Sequence, residues 1–298
     1  KQPIAIMKVP SLCRQLFAMM PSRVYPILDI LGHDAYREID PYISYELVGM
    51  DRFLDCVSRF RDFLFEDGMC GFGAMCESPF FYMFVDEHKI VTVRVDAAKK
   101  EKLEKLLEAF DLEASAPGRE PVGADGTAHE HRSVLLMPDD SPHLLGPEEI
   151  LEHLRDEWRL VMNIDPESNV DDEDKDLGET AWWCRVRVAL PREASGEVPA
   201  DLREGEFETR YAEVVLRAEC LREAEELAVL AAQRHAGLPE SDEQPGTDEH
   251  EEEGTPPPPF VVFADRMTEE QFEEHRQKAG RRKASGKLAK VWSVRWSD

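Results

Sequence analysis

The sequence lacks both the long apolar runs of membrane proteins and the dense cysteine pairing of small secreted proteins. No stretch approaches the roughly 18 apolar residues that a membrane-spanning helix needs. Its start has neither a continuous apolar core nor a cleavage site, so we predict no signal peptide. Six cysteines are unevenly spaced: Cys13, Cys56, Cys70, Cys76, Cys184 and Cys220. Because several of them stand among apolar residues, we predict buried, reduced thiols and a cytoplasmic protein.

Positive charge is also scarce. The chain has 36 Lys and Arg against 62 Asp and Glu, which gives a net charge of −26. The excess is uneven, with −4 over residues 1–112, −25 over residues 113–255 and +3 over residues 256–298. An acidic surface repels a phosphate backbone, so we expect no direct nucleic-acid binding by the body of the chain. A partner with a basic face and an acidic mimic of nucleic acid both remain open.

No segment has the spacing of a phosphate-binding loop. Gly68, Gly71 and Gly73 surround Cys70, but such a loop is followed by a helix that begins with Lys-Ser or Lys-Thr. Here Pro79 and a predicted strand follow instead. We predict that these glycines form a turn and the start of a closely packed strand, and we predict no cofactor.

The sequence also lacks the spacing of a zinc site. Cys70 and Cys76, even with His88 nearby, are not separated as zinc-binding cysteines are, and no second pair exists. His129 and His131 stand in a segment with no rigid frame and no third ligand. We predict no zinc at either place.

An acidic stretch invites comparison with a calcium-binding loop. In the segment that begins at Asp165, Val170 occupies the sixth position, where the tight turn requires glycine, and Asp176 stands where glutamate is needed. A register that begins at Asp172 ends on Trp183. The sequence therefore predicts no metal site.

One group of residues suits acid–base chemistry by type alone. Asp86, Glu87 and His88 form a predicted hairpin tip between two strands. Turns are polar for structural reasons, and no nucleophile stands at a recognisable spacing. We predict a polar turn here, and the sequence leaves any catalytic residue unknown.

Residues 1–112 predict an α-β-β-β-α domain that begins with an irregular, partly helical region. A helical turn is predicted at Ile27–Leu31, and FFYMFV, apolar on both faces, is predicted to be a central strand. The spacing of the apolar residues predicts a helix over Asp51–Phe65 and a second helix capped by Asp96. Between them it predicts strands over Gly71–Glu77, Phe80–Val85 and Lys89–Val95.

Residues 113–132 predict a linker, and residues 133–265 predict a ferredoxin-like α+β domain. The domain would contain a strand at Ser133–Met137, a helix from Pro147, two alternating strands from Trp182 and Ala212, a helix and a strand at Phe260–Ala264. Residues 237–259 are acidic and proline-rich, and we predict that they are disordered. Of Trp182 and Trp183, we expect one in the core and the other beneath a helix or exposed.

Residues 266–298 predict a C-terminal helix capped by Thr268, a basic patch and a strand at Val291–Trp296. The basic patch comprises Arg281, Arg282, Lys283, Lys287 and Lys290. Whether it binds within the chain or to a partner stays open, because the rest of the protein offers many carboxylates.

The predicted fold is therefore α+β, with two small domains that each combine helices and an antiparallel sheet. Because no catalytic set stands out, we predict a non-enzymatic protein-interaction or regulatory module that binds another protein. Two alternatives stay open: an enzyme with dispersed Asp, Glu and His residues between the domains, and an acidic mimic or antagonist of a nucleic-acid-binding protein. The motifs identify no family, and they give no oligomeric state.

Overall fold

The computed structural model describes residues 8–112, 145–191, 207–238, 257–279 and 286–297. The chain divides into two compact units. The first contains Lys1–Leu31 and Ile39–Ile164, and the second contains Gly32–Glu38 and Asp165–Asp298. Each has one antiparallel sheet with helices, so the predicted α+β class is confirmed at this level.

The first unit contains five helices and seven strands among the described residues. Its helices are α1 (Val9–Phe17), α2 (Met50–Arg59), α3 (Arg61–Glu66), α4 (Lys100–Ala109) and α5 (Pro147–Trp158). Its strands are β1 (Arg23–Leu31), β2 (Ile39–Ile43), β3 (Val48–Gly49), β4 (Cys70–Glu77), β5 (Phe80–Val85), β6 (Val91–Val95) and β7 (Val161–Met162). They lie in the order β6-β5-β4-β1-β2-β7, and β3 also pairs with β1.

β1 lies in the middle of this sheet, which corrects the predicted helical turn at Ile27–Leu31. Apart from Asp29, the segment is apolar on both faces, and a short run of that kind shows no period that separates a strand from a helix. β5 is an interior strand, as FFYMFV predicts, but the centre belongs to β4 and β1. The first unit thus has more strands than the predicted α-β-β-β-α domain.

The predicted helix over Asp51–Phe65 is divided into α2 and α3, because the backbone at Phe60 leaves the helical conformation. Asp96 precedes a short 3-10 turn that leads into α4, and its carboxylate accepts a hydrogen bond from the N–H of Phe80 at 2.8 Å. This bond attaches the end of β6 to the start of β5.

Three helices, α1, α2 and α5, build an aromatic core that reaches one face of the first sheet at Phe72. The ring of Phe53 on α2 lies 4.9 Å from that of Phe17 on α1 and 4.8 Å from that of Trp158 on α5. All three side chains are almost fully buried. Burying aromatic rings of this size contributes on the order of 2 kcal/mol each, so this cluster holds α5 to the unit.

The structure groups α5 and β7 with the first unit, whereas the prediction placed this part of the chain in the second domain. Besides Trp158, the residues Leu151 and Leu154 of α5 are buried. β7 pairs with β2, so that Val161 stands opposite Ile43. Packing of the helix and strand pairing therefore both join them to the first unit.

The second unit has one four-stranded sheet. Its elements are β8 (Thr180–Pro191), β9 (Phe207–Ala218), α6 (Leu221–Ala236), β10 (Phe260–Met267), α7 (Glu269–Ala279) and β11 (Val291–Trp296). The strand order is β10-β8-β9-β11, and every neighbouring pair is antiparallel. α6 packs against one face through small buried residues, among them Ala224, Ala228 and Ala231.

The described elements of this unit follow one another as β-β-α-β-α-β, which corrects the predicted ferredoxin-like order β-α-β-β-α-β. The difference arises because α5, the expected first helix of that order, lies in the first unit. The predicted strand at 133–137 and linker at 113–132 lie outside the described residues, as do residues 239–256 of the predicted disordered segment.

Candidate functional site

The two faces of the first sheet differ in character. Along β1, the residues Val24, Pro26, Leu28 and Ile30 are buried, and the alternate residues are only half-buried. The ring contacts of α1 and α3 with the sheet fall on the buried face, at Phe72. We call the opposite face the open face. Its central part is formed by Tyr25, Ile27, Asp29, Leu31, Ile39, Pro41, Ile43, Gly71, Gly73, Met75, Tyr82 and Phe84. Towards β6 the same face carries Glu77, Thr92 and Arg94.

The open face continues into exposed apolar residues at the β7 edge. Val161 stands opposite Ile43 and is 48% exposed. Tyr45 is 67% exposed, and its hydroxyl donates a hydrogen bond to Oδ1 of Asn163 at 2.6 Å. Exposed apolar side chains beside a half-buried apolar sheet are typical of a contact surface.

Asp29 is the carboxylate in the middle of this apolar face. Its neighbours across the strands are Gly71 on β4 and Pro41 on β2. Its neighbours along β1 on the same face are Ile27 and Leu31, since side chains alternate along a strand. None of these four side chains can pair with a carboxylate. Among the residues that the structure describes, the Asp29 carboxylate has no hydrogen-bond partner.

The surroundings of Asp29 disfavour its charged form. Burial, and in second place the negative charge of Glu87, raise the pKa of Asp29 to about 6. Burial also raises the pKa of the Tyr82 hydroxyl, and the charge of Asp29 adds to that effect. Glu87 is close to His88, whose Nε2 lies 3.4 Å from its carboxylate. The group therefore carries negative charge in a partly desolvated place.

Aromatic rings and one arginine border this group. The ring of Tyr82 stacks on that of Phe84 at 6.3 Å, and the guanidinium of Arg94 lies 5.7 Å from the centre of the Tyr82 ring. Lys89 is buried, and its ammonium donates to the carbonyl oxygen of Cys70 at 2.7 Å. Arg94 and Lys89 thus have defined contacts with groups other than the Asp29 carboxylate.

The structure places the predicted hairpin tip beside this group. Asp86 accepts a hydrogen bond from the N–H of Ile90 at 2.7 Å and shapes the turn, whereas Glu87 acts on Asp29. Burial is the main cause that raises the pKa of Asp86. Asp29 was not predicted from the sequence, because the position of a carboxylate on a sheet face is recognisable only once its segment is known to be a strand.

The cysteines and glycines of β4 have structural positions. Cys70 and Cys76 are both buried, and their thiols donate to the carbonyl oxygens of Phe63 and Pro79 at 3.1 Å each. Burial raises the pKa of Cys70 to about 12, which makes it a poor nucleophile. Among the described residues, no three His, Cys, Asp or Glu side chains are placed to hold a metal ion.

In the second unit, a shallow depression of about 480 Å³ is lined by acidic residues. Its lining consists of Asp34, Ala35, Tyr36, Arg37, Glu38, Asp171, Asp172 and Glu173. The buried Asp34 carboxylate is already saturated by hydrogen bonds. It accepts from Nη2 of Arg266 at 2.8 Å, from Nε of Arg266 at 2.9 Å and from the N–H of Tyr36 at 2.9 Å.

The acidic loop beside this depression uses carboxylates to fold its own backbone. Asp171 accepts hydrogen bonds from the N–H groups of Glu173 and Lys175, both at 3.0 Å. Asp176 accepts one from the N–H of Gly178 at 2.9 Å. The hydrogen bond from Lys175 is the largest cause that lowers the pKa of Asp171. These are turn-forming contacts of the kind that aspartate commonly makes.

Of the predicted basic patch, Lys290 is described in contact with carboxylates, whereas residues 281–283 lie outside the described part of the chain. Its ammonium lies 2.7 Å from Glu223, 3.3 Å from Glu179 and 3.9 Å from Glu219. The hydrogen bond to Glu223 is the main cause that raises the pKa of Lys290. This lysine therefore has partners within the chain.

The two neighbouring tryptophans divide between the faces of β8. Trp182 is buried, and its indole N–H donates to the carbonyl oxygen of Ala218 at 3.3 Å. Trp183 packs against the cluster that contains Phe272 of α7. One tryptophan is thus core and the other lies by a helix.

A scan against protein-family models, a search of curated proteins and a search of solved structures each found no match to this chain. Among the described helices, none combines the length and the apolar character needed to span a membrane. The molecule is therefore described by its fold and by the residues of its candidate site. It is an α+β protein with two antiparallel sheets, and the open face of the first sheet is apolar around Asp29.

Proposed function

We propose that this chain is a protein-interaction module and that the open face of the first sheet is its binding surface. The observation that carries the proposal is the half-buried apolar character of this face, which extends into exposed Val161 and Tyr45. Antiparallel sheets with one solvated face are normally polar on that face. An apolar face without that alternation suits burial against a partner.

The position of the helices supports the same choice of surface. α1, α2 and α5 meet in the aromatic cluster of Phe17, Phe53 and Trp158, and α1 reaches the buried face of the sheet at Phe72. The helices thus hold the sheet through the face opposite the open face. A partner could bind without rearranging this core, and rigid strands present side chains at defined spacings.

Acid–base catalysis is a second candidate function, because Asp29 has a pKa of about 6. A carboxylate with a pKa near neutrality can act as a general base, and perturbed carboxylates are common at catalytic sites. Asp29→Asn would then abolish turnover of a substrate while leaving its binding intact. The interaction module is favoured because the surrounding side chains are apolar and offer no nucleophile.

A third candidate function, suggested by the acidic composition, is mimicry of nucleic acid. It requires an ordered, one-sided array of free carboxylates. Asp171 and Asp176 bind their own backbone, and Glu223 binds Lys290. These contacts favour a structural use of the acids, so this function is not our choice. We also propose a reducing, cytoplasmic location, in keeping with the apolar surroundings of the cysteines.

Site-directed photo-cross-linking tests the interaction module. The photoreactive amino acid benzoylphenylalanine is placed at Ile43, on the open face, or at Ser58, an exposed position of α2. In cells that produce the full chain, we expect a discrete cross-linked protein from position 43 and none from position 58. Equal products from both positions, or none from position 43, would reject the open face as the binding surface.

A further inference from the structure

The fold itself does not account for the charge of Asp29. Three other half-buried or buried aspartates among the described residues have a structural task. Asp34 pairs with Arg266, Asp67 accepts from the N–H of Met69 at 2.7 Å, and Asp86 accepts from the N–H of Ile90 at 2.7 Å. Asp29 has no such bond to any described residue.

An isolated carboxylate in apolar surroundings lowers the stability of the fold, because it loses hydration without gaining a partner. An asparagine or an aliphatic residue at this place on the sheet would avoid that penalty. Sites at which a local choice conflicts with the fold are commonly functional sites. The charge of Asp29 is therefore best explained by a ligand that brings the missing partner.

The surrounding charges specify the sign of that partner. Burial is the main cause that disfavours ionisation of Asp29, and the second negative charge, on Glu87, adds to it. A cation would relieve this repulsion and supply the absent hydrogen bonds. An anion would face both carboxylates. The net charge of −26 acts in the same direction, since it attracts basic partners at long range.

The apolar neighbours specify what surrounds that cation. Ile27 and Leu31 flank Asp29 along β1, about 7 Å away on either side at the spacing of a strand. On the β4 side, Gly71 has no side chain and the ring of Phe84 lies where its Cβ would be, so apolar surface borders the carboxylate there as well. A lysine or arginine fits this arrangement when apolar side chains flank it on the partner.

We propose that the open face recognises a partner protein through a lysine or arginine that stands between apolar residues and pairs with Asp29. This inference rests on the proposed function and adds the chemistry of the partner. Pairing of a cation with a half-desolvated carboxylate is charge-assisted, and it supplies specificity where apolar contact supplies area.

Recognition of this kind depends on pH. The groups that face Asp29 are Tyr82 on β5 and Glu87 after it, and Arg94 on β6 lies over Tyr82. On the same face, β4 and β2 contribute Gly71 and Pro41 and hence no charge. As the pH falls through about 6, Asp29 takes up a proton and the attraction for the cation is lost.

A fluorescein-labelled peptide with a lysine between two valines tests the proposal against the full chain. Two matched peptides replace the lysine by norleucine or by glutamate. Fluorescence anisotropy at pH 7.5 gives the Kd of each peptide. We expect the lysine peptide to bind at least about tenfold more tightly than either match, which corresponds to one good charge pair.

Three variants of the chain separate the sources of binding. Asp29→Asn is expected to weaken the lysine peptide about tenfold and to leave the norleucine peptide unchanged. Asp55→Asn removes the same charge from an exposed position of α2 and should change neither Kd by more than about twofold. Ile43→Gln, on the open face, should weaken both peptides. Circular dichroism verifies that each variant is folded.

The outcomes distinguish this inference from the function on which it rests. If Ile43→Gln weakens the peptides but Asp29→Asn does not, the open face binds and the role of Asp29 is rejected. If neither variant alters binding, both proposals are rejected. Equal affinity for the three peptides, or no binding of the lysine peptide, overturns the inference about the cation.

Discussion

At the scale of single residues, two aspartates close to each other in sequence have opposite situations. Asp34 accepts several hydrogen bonds and faces Arg266, so its charge is compensated inside the protein. Asp29 stands among Ile27, Leu31 and Gly71, and no residue in the described part of the chain pairs with its carboxylate. Residue type alone therefore does not separate a structural carboxylate from a candidate binding one.

The raised pKa of Asp29 predicts how stability depends on pH. Its pKa is about 6 in the folded chain and 3.8 as an ordinary carboxyl, so the folded state holds the proton more tightly. Its contribution to stability is present below about pH 4 and is lost as the pH rises through 6. The shift corresponds to at most about 3 kcal/mol, and solvent screening at a half-buried group reduces the expected effect to about 1–2 kcal/mol.

Asp29→Asn removes this penalty. The free energy of unfolding of the variant minus that of the original chain should therefore be about 1–2 kcal/mol larger at pH 7.5 than at pH 4. Urea unfolding at both pH values measures this change. Asp55→Asn, at an exposed position, provides the control and should show almost no change between the two pH values. A constant difference for Asp29→Asn across this range would mean that the carboxyl is not perturbed.

At the scale of elements, the open face depends on the close approach of β4 and β5. Gly73 stands opposite Phe84, and an added Cβ at Gly73 would overlap the carbonyl oxygen of Met83. At Gly71, an added Cβ would meet the ring of Phe84 at 2.8 Å. The first obstacle is backbone and cannot move alone. At Gly71 the nearest obstacle is the end of a side chain, and the closest backbone atom, the carbonyl oxygen of Val85, lies at 3.1 Å.

Gly73→Ala should lower the free energy of unfolding by about 2–3 kcal/mol, because the two strands must separate to admit the methyl group. Gly71→Ala should cost less, because the Phe84 ring can turn away. Urea unfolding of the two variants at neutral pH gives the comparison. Equal losses, or a larger loss for Gly71→Ala, would contradict the close backbone contact at Gly73.

Several elements were predictable because their signals are local. The alternation in β8 and β9, Pro147 at the start of α5 and the capping box of Thr268 with Gln271 all correspond to observed structure. β1 was not predictable in this way. Apart from Asp29, its residues from Ile27 to Leu31 are apolar on both faces, and its pairing with β4 joins residues 40 to 50 positions apart.

At the scale of the whole molecule, the second unit includes residues from both ends of the chain. Arg266 and Asp34 are 232 positions apart in sequence, yet they form an ion pair in which both side chains are buried. Arg266 also donates to Oδ1 of Asn169 at 3.2 Å and to the carbonyl oxygen of Val170. Segment Gly32–Glu38 belongs to this unit although the strands on either side belong to the other.

Arg266→Leu should lower the free energy of unfolding by about 3–5 kcal/mol, because it leaves a buried carboxylate without its counter-charge. The double variant Asp34→Leu with Arg266→Leu should lose less than the sum of the single variants, since no charge then remains unpaired. Urea unfolding provides the four values of the cycle. Arg276→Leu removes an exposed pair with Glu273 and should cost less than about 1 kcal/mol. Strict additivity of the two buried changes would contradict an interacting pair.

The sequence by itself determined the α+β class, the acidic charge, the strands β8 and β9 and the helices α5, α6 and α7, because each depends on residue types and on their period within one short segment. Only the tertiary structure decided that β1 is the centre of the first sheet, that α5 belongs to the first unit and that Asp34 meets Arg266. It also isolated Asp29 on the open face. These features depend on which distant segments pair and pack. The side-chain pattern along one segment does not predict which segments those are.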